Sequence, residues 1–245
     1  MPSSSTLFAQ KEIIMYKLAI FDLDDTLAPT GKGILPEDLK LLKTISDKVQ
    51  ITVCSGKPVY YLCGFMRQAG INNAVLMGEN GSAFQFGTDL PPSKYGYHPL
   101  AKNAKASLSF LKDEISRTVP GIWYQPNEIA VTPFPKSEQE FELIEACLQR
   151  CNLAIRNVTV YRHDDSFDIV PKGVNKQTGA EYLGNMLGIL PSETIAIGDG
   201  VNDYPLFEYA GHSIGVCVSK PEKVDVNYNS ITQALNHVLE VLSVT

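Results

Sequence analysis

The chain has no cysteine framework, no P-loop and no long apolar run, and each absence narrows what it can be. Its 245 residues include five cysteines, Cys54, Cys63, Cys147, Cys151 and Cys217. The number is odd and no CxxC pair occurs, so neither a disulfide scaffold nor a four-ligand zinc site is expected, and the setting reads as a reducing cytoplasm. No stretch approaches the roughly 18–20 apolar residues of a membrane span, and the first fifteen residues lack the apolar core of a signal peptide. GxGxxG and GxxxxGK[ST] are both missing, which removes the usual dinucleotide and P-loop signatures. A basic excess is missing too: 21 Lys and Arg stand against 27 Asp and Glu, a net charge of −6. Neither nucleic acid nor an anionic membrane is therefore an expected partner, and any phosphate bound here needs a local device, a metal ion or a few placed cations.

What is present is an alternating pattern. Residues 1–14 read as an N-terminal extension, because patterned sequence begins only at Met15 and Tyr16. Lys17 to Phe21 (KLAIF) is a short apolar run ending in carboxylates, the form of a central parallel strand that stops at a site. Helical periodicity over Glu37 to Lys48, a strand over Gln50 to Cys54, a helix over Pro58 to Gln68 and a strand over Ala74 to Met77 continue the rhythm of an α/β sheet. From about Ser82 the rhythm changes to hairpins and two helices, at Leu100 to Thr118 and Ser137 to Arg150, with strands at Glu128 to Thr132, Val158 to Arg162 and Ser166 to Val170. That order predicts an inserted α+β unit over 83–170, one sheet with both helices on one face, interrupting a core made of 15–82 and 171–245. After Pro171 the core resumes, with helices over Asn175 to Gly188, Asp203 to Ala210 and Ile231 to Leu242 and strands over Thr194 to Ile197 and Ser213 to Val216.

Four clusters carry chemistry. Asp22-Leu23-Asp24-Asp25-Thr26 follows the first strand. A carboxylate there can attack phosphorus, and a second one two residues on can exchange protons with the leaving oxygen and a water; alone, the cluster reads equally as a solvated turn. Ser55-Gly56-Lys57-Pro58 stands between a strand and a helix, where a hydroxyl and free amides bind an anion or simply cap the helix. Lys176 stands at the start of a helix, in Val174-Asn175-Lys176. Gly198-Asp199-Gly200-Val201-Asn202-Asp203 follows another apolar strand, and Asp199 and Asp203 together with Asp22 would suit a hard octahedral cation such as Mg²⁺. Carboxylates gathered around a phosphate repel it by about 4 kcal/mol per pair of unit charges at 4 Å and an effective dielectric near 20, so a divalent cation is required.

In this order, the four clusters resemble the motifs of the haloacid dehalogenase superfamily, in its Cof-type branch, subfamily IIB, with an α+β cap of the C2 type. The resemblance covers nearly everything from Met15 onward. It implies a Rossmann-like α/β core with a parallel sheet, an inserted cap that sets specificity, and Mg²⁺-dependent hydrolysis of a small phosphorylated metabolite, a sugar phosphate first and phosphoglycolate next, through an aspartyl-phosphate. It implies Asp22 as nucleophile, Asp24 as general acid and base, Ser55 and Lys176 as phosphate holders, and Asp199 as metal ligand beside Asp22 and the Asp24 backbone carbonyl. Asp203 and Asn202 would orient the metal or its waters, with Gly56 and Asn80 beside the substrate. Two positions depart from the family pattern, Asp25 where Gly is usual and Lys57 where Arg is frequent. A lysine keeps the charge but loses the bidentate fork.

Tyr95, Tyr97, Arg162 and His163 could reach the substrate from the cap, while Trp123 and the other aromatics read as core. The competing functions are a sugar phosphomutase with the same intermediate and a non-enzymatic receiver-like phosphoacceptor. A receiver is about half this length and carries no inserted cap. The chain is expected to act as a monomer or homodimer.

Overall fold

The computed structural model describes residues 15–243; the extension expected at 1–14 lies outside the described residues. The elements run β1 (Leu18–Phe21), α1 (Pro36–Ser46), β2 (Gln50–Cys54), α2 (Val59–Ala69), β3 (Val75–Gly78), β4 (Ala83–Phe86), β5 (Lys94–Tyr97), α3 (Ala104–Thr118), β6 (Trp123–Tyr124) and β7 (Pro133–Phe134). They continue through α4 (Glu138–Arg150), α5 (Asn152–Ile155), β8 (Val158–Arg162), β9 (Phe167–Pro171), α6 (Lys176–Leu187), β10 (Thr194–Gly198), α7 (Tyr204–Tyr209), β11 (His212–Val216), β12 (Val226–Tyr228) and α8 (Ile231–Val241).

One sheet of order β12-β11-β10-β1-β2-β3-β4-β5 organises the molecule. It is parallel from β12 to β3 and turns antiparallel at β4 and β5. β1 is wholly buried because both faces of the sheet are covered. Its alternation sorts its side chains: Ala19 and Phe21 join a core with Leu42 of α1, Leu62 of α2 and Leu235 of α8, while Leu18 and Ile20 join a core with Ala180 of α6 and Leu206 of α7. Burying each such Leu, Ile or Phe contributes about 1.5–3 kcal/mol. From β1 the chain goes to β2 on one side and eventually to β10 on the other. Their carboxyl ends therefore flank a topological switch point, where open α/β sheets place ligands.

The inserted unit differs from the expectation in two respects. Its start is not at residue 83: β4 and β5 hydrogen-bond onto β3 and extend the main sheet through Tyr97. Antiparallel hairpin strands carry the same alternation whichever sheet they join, so the sequence pattern did not separate the two cases. Nor is the insertion one sheet. β6 pairs with β7 and β8 with β9 as separate hairpins, linked by an isolated bridge between Val131 and Ile169, and the strand expected at Glu128 to Thr132 forms no ladder. α3 packs against α4 and β9 over a separate apolar core that includes Leu111, Ile115, Ile144 and Phe167. No helix among the described residues is long and apolar enough to cross a membrane.

Candidate active site

The ladder between β1 and β10 runs one residue past β1, where the Asp22 amide donates to the Ile197 carbonyl at 2.9 Å. This fixes Asp22 at the strand's carboxyl end, buried on the floor of a cleft of about 740 Å³ between sheet and cap. The chain then turns sharply. Asp25 adopts a left-handed conformation (φ 57°), which an Asp tolerates better than most non-glycine residues, and its carboxylate accepts from the Thr30 amide (3.0 Å) and hydroxyl (2.8 Å). Asp in place of the usual Gly thus trades backbone freedom for two hydrogen bonds that brace the loop.

Lys176 is the first residue of α6, set by a capping box between Asn175 and Thr178. Its side chain is buried, with Nζ 2.6 Å from both Asp22 Oδ1 and Asp203 Oδ1. Burial alone would lower its pKa, but Asp203 and Asp22 outweigh burial and hold the ammonium protonated, above the ordinary lysine value. Burial likewise pushes the Asp22 carboxyl up, against the opposing pull of Lys176. The second oxygen of Asp203 accepts from the amides of Asp199 (3.1 Å) and Gly200 (3.0 Å). Gly198 permits this packing, since a Cβ there would lie 2.5 Å from Asp203 Cγ.

Asp22, Asp199 and Asp203 offer carboxylate oxygens within 4.8 Å of one another. The donors are all oxygen, with neither imidazole nor thiolate among them, which fits a hard cation such as Mg²⁺. Thr26 donates to Asp199 at 3.0 Å and orients it; the residue lies inside the first cluster, but no pattern in the chain pointed to this task. Burial and the nearby Asp203 raise the Asp199 pKa, and Thr26 opposes the rise. The Asp24 carboxylate stands apart from this cluster, part-exposed and 3.4 Å from Lys57 Nζ. Lys57 thereby links the first two motifs.

Ser55, Gly56 and Asn202 also line the cleft. The Ser55 hydroxyl accepts from the Lys57 amide at 3.2 Å, a local turn at the entry to α2. Asn80 is placed otherwise than expected. It is buried, its amide nitrogen donates to Asp168 at 2.8 Å, and it is not among the cleft-lining residues. Asp168 also accepts from Thr132 (2.8 Å) and faces His163 Nε2 (3.4 Å), so core and cap meet in one buried polar network. An Asp in the middle of an apolar strand was the available signal for it.

Of the four residues expected to reach the substrate, His163 and Arg162 line the cleft, although Arg162 donates to Glu138 and Glu145 of α4. Tyr95 and Tyr97 do not; both donate to Glu128. The segment that carries Glu128 is held by Glu79, which accepts from the amides of Glu128 (2.8 Å), Ile129 (2.8 Å) and Ala130 (2.7 Å). Gln125 adds a further link, donating to the Gly56 carbonyl at 2.9 Å. Trp123, expected in the core, is 56% exposed and packs edge-on against Phe134.

Seven aspartates line the cleft, Asp22, Asp24, Asp25, Asp164, Asp165, Asp168 and Asp199, against Lys57, Arg162 and His163. The excess of carboxylates makes the lining of the cleft acidic, which disfavours an anion and favours a cation. Its volume suits a small molecule.

Known proteins resemble this chain in sequence and in fold. The chain is 27% identical over 221 residues to a phosphoglycolate phosphatase of Methanosarcina mazei, covering 89% of this chain and 91% of the relative. It is also 27% identical over 237 residues to a Streptococcus pyogenes protein described as a putative bifunctional phosphatase/peptidyl-prolyl cis-trans isomerase. That match covers 85% of this chain but only 50% of the longer protein. A solved haloacid dehalogenase subclass IIB sugar phosphatase superposes with a TM-score of 0.70 at 18% identity, covering 94% of this chain and 100% of that one, a likeness of fold. The profile of the haloacid dehalogenase-like hydrolases matches residues 19–89 and 113–233, and the chain belongs to that family.

Proposed function

We propose that the protein is a Mg²⁺-dependent phosphomonoester hydrolase that acts on a small phosphorylated metabolite through an aspartyl-phosphate on Asp22. The observation that carries this reading is Asp22 itself, at the floor of the cleft, 2.6 Å from a buried lysine and grouped with two further carboxylates. Asp22, Asp199 and Asp203 would hold Mg²⁺, with the backbone of Asp24; the bound ion supplies the positive charge that lets a phosphate approach these carboxylates. An Asp22 oxygen attacks phosphorus as the bond to the leaving oxygen breaks, and Asp24 gives that oxygen its proton. Asp24 then takes a proton from the water that attacks the aspartyl-phosphate, releasing phosphate and restoring Asp22. Ser55, with the amides around Gly56, holds the phosphoryl oxygens from one side, and Lys176 offsets charge from beneath as transfer proceeds. Asn202 borders the same oxygens.

Residues 15–97 and 171–243 form the core and the segment between them the cap that covers the cleft. The polar lining of the cap side, Gln125, Thr132, Tyr161 and His163 with Asp164 and Asp165, favours a hydroxyl-rich leaving group, so sugar phosphates come first. Phosphoglycolate, the substrate named for a relative, is the next candidate. Phosphate release from sugar phosphates, phosphoglycolate, nucleotides and an aryl phosphate, measured with Mg²⁺ and with excess EDTA, tests this. Release from one or a few of them that EDTA stops is the expected result, and release that EDTA leaves intact contradicts the metal's role.

A further inference from the structure

We propose that His212 and His237 form a second cation site, for a borderline transition ion of the Zn²⁺ class, at the end of the sheet away from the catalytic cleft. His212 opens β11 and pairs with Ile195 near the start of β10, whereas the catalytic loop leaves β10 at its other end. His237 comes from α8, which packs on this edge. The two Nε2 atoms face each other at 3.1 Å. Two imidazole nitrogens bound to one tetrahedral zinc at about 2.0–2.1 Å would lie about 3.3 Å apart.

The surroundings favour one placement of the ring protons. His212 Nδ1 is 3.4 Å from Asp225 Oδ2, and His237 Nδ1 is 3.5 Å from Glu240 Oε2. Asp225 is itself anchored, accepting from the Ser213 amide (2.8 Å) and hydroxyl (3.0 Å). A carboxylate beside each Nδ1 draws the ring proton to that nitrogen, the outer-shell arrangement found around metal-bound histidines. With both ring protons on Nδ1, the two Nε2 atoms present lone pairs to each other, an arrangement that a shared cation stabilises. Burial also lowers the pKa of His212, with Asp225 opposing, which favours the neutral ring that a metal needs. The side chains are 17% and 19% exposed, so the pair is not sealed from the water that would complete the coordination. Tyr16 and Tyr228 flank the pair. A bound ion would tie α8 to the sheet without touching the catalytic residues.

The test uses chelator-stripped full-length protein titrated with ZnCl₂ and followed by thermal melting and by ¹⁵N spectra of the histidine rings. Expected are a rise in Tm of about 5–10 °C at zinc concentrations a hundredfold above Kd, and Nε2 shifts in two of the four histidines. His237→Gln should abolish the zinc-induced Nε2 shift of His212 and keep Mg²⁺-dependent phosphate release, while Asp199→Asn, which weakens the carboxylate cluster where zinc also binds, should keep both histidine shifts. A His212 shift that survives His237→Gln, or histidine shifts that disappear in Asp199→Asn, overturn the proposal. If His237→Gln fails to fold, the wild-type spectra decide: unchanged Nε2 signals at millimolar zinc mean that only a shared proton joins the rings.

Discussion

Replacing Glu79 by alanine should loosen the attachment of the cap to the core. Glu79 is 1% exposed and accepts three backbone amides from the Glu128 to Ala130 segment. Both Glu79 and Asn80 are left-handed (φ 54° and 56°), a conformation that costs roughly 1–2 kcal/mol per non-glycine residue and persists here because the clamp over-determines it. In the alanine variant the amide of the exposed Glu128 can turn to water, whereas those of buried Ile129 and Ala130 are orphaned. An orphaned buried amide costs about 1–3 kcal/mol, so the two together give a loss of about 2–6 kcal/mol. That is a large part of a typical total of about 5–15 kcal/mol. Glu79→Gln keeps one acceptor oxygen and should lose less. Urea unfolding reads the loss as a fall in midpoint on the order of 1 M or more. A midpoint for Glu79→Ala within about 0.2 M of wild type, at unchanged slope, would refute the clamp.

Lys176→Met leaves Asp22 and Asp203 buried without their shared counter-charge, and in metal-free buffer it should lower stability by about 3–5 kcal/mol as well as end turnover. Thermal melts in EDTA check this; a variant as stable as wild type contradicts it. Asp168→Asn tests the core–cap network through pH. Burial pushes the Asp168 carboxyl up, but His163, Thr132 and Asn80 outweigh burial and hold it below its ordinary value, while Asp168 raises His163. The Asp168 contribution is present above its unfolded pKa, near 4, and is lost as pH falls. The His163 contribution is complete below its unfolded pKa, near 6.5, and is lost as pH rises through the raised folded value. The stability difference between wild type and Asp168→Asn should therefore peak between about pH 4 and 6.5, and a difference independent of pH contradicts the pairing.

The centre of the fold was legible because its strands are apolar on both faces. KLAIF, QITVC and TIAIG have little choice but to be buried in a parallel sheet, and the carboxylates that end the first mark its functional edge. The edges were not legible. β5 (KYGY) and β12 (VNY) are short and partly exposed, and only their partners make them strands. The same holds for the two-residue strands β6 and β7. At the site, the motif loops converge on one cleft because each follows a strand of the same sheet or opens a helix packed against it. Pairwise contacts escaped the sequence: Thr26 with Asp199, Lys57 with Asp24, and Asn80 turned to Asp168 instead of the cleft. These depend on side-chain direction across distant segments, which periodicity does not encode.

The most direct test of the central claim compares wild type with Asp22→Asn for phosphate release under saturating Mg²⁺, using whichever phosphate ester the wild type turns over fastest. The carboxamide fills nearly the same space as the carboxylate but cannot form the aspartyl-phosphate, so turnover should fall to background while the melting curve stays that of a folded protein. A folded Asp22→Asn variant that keeps most of the wild-type rate would show that another group attacks phosphorus, and the proposed mechanism would have to be abandoned.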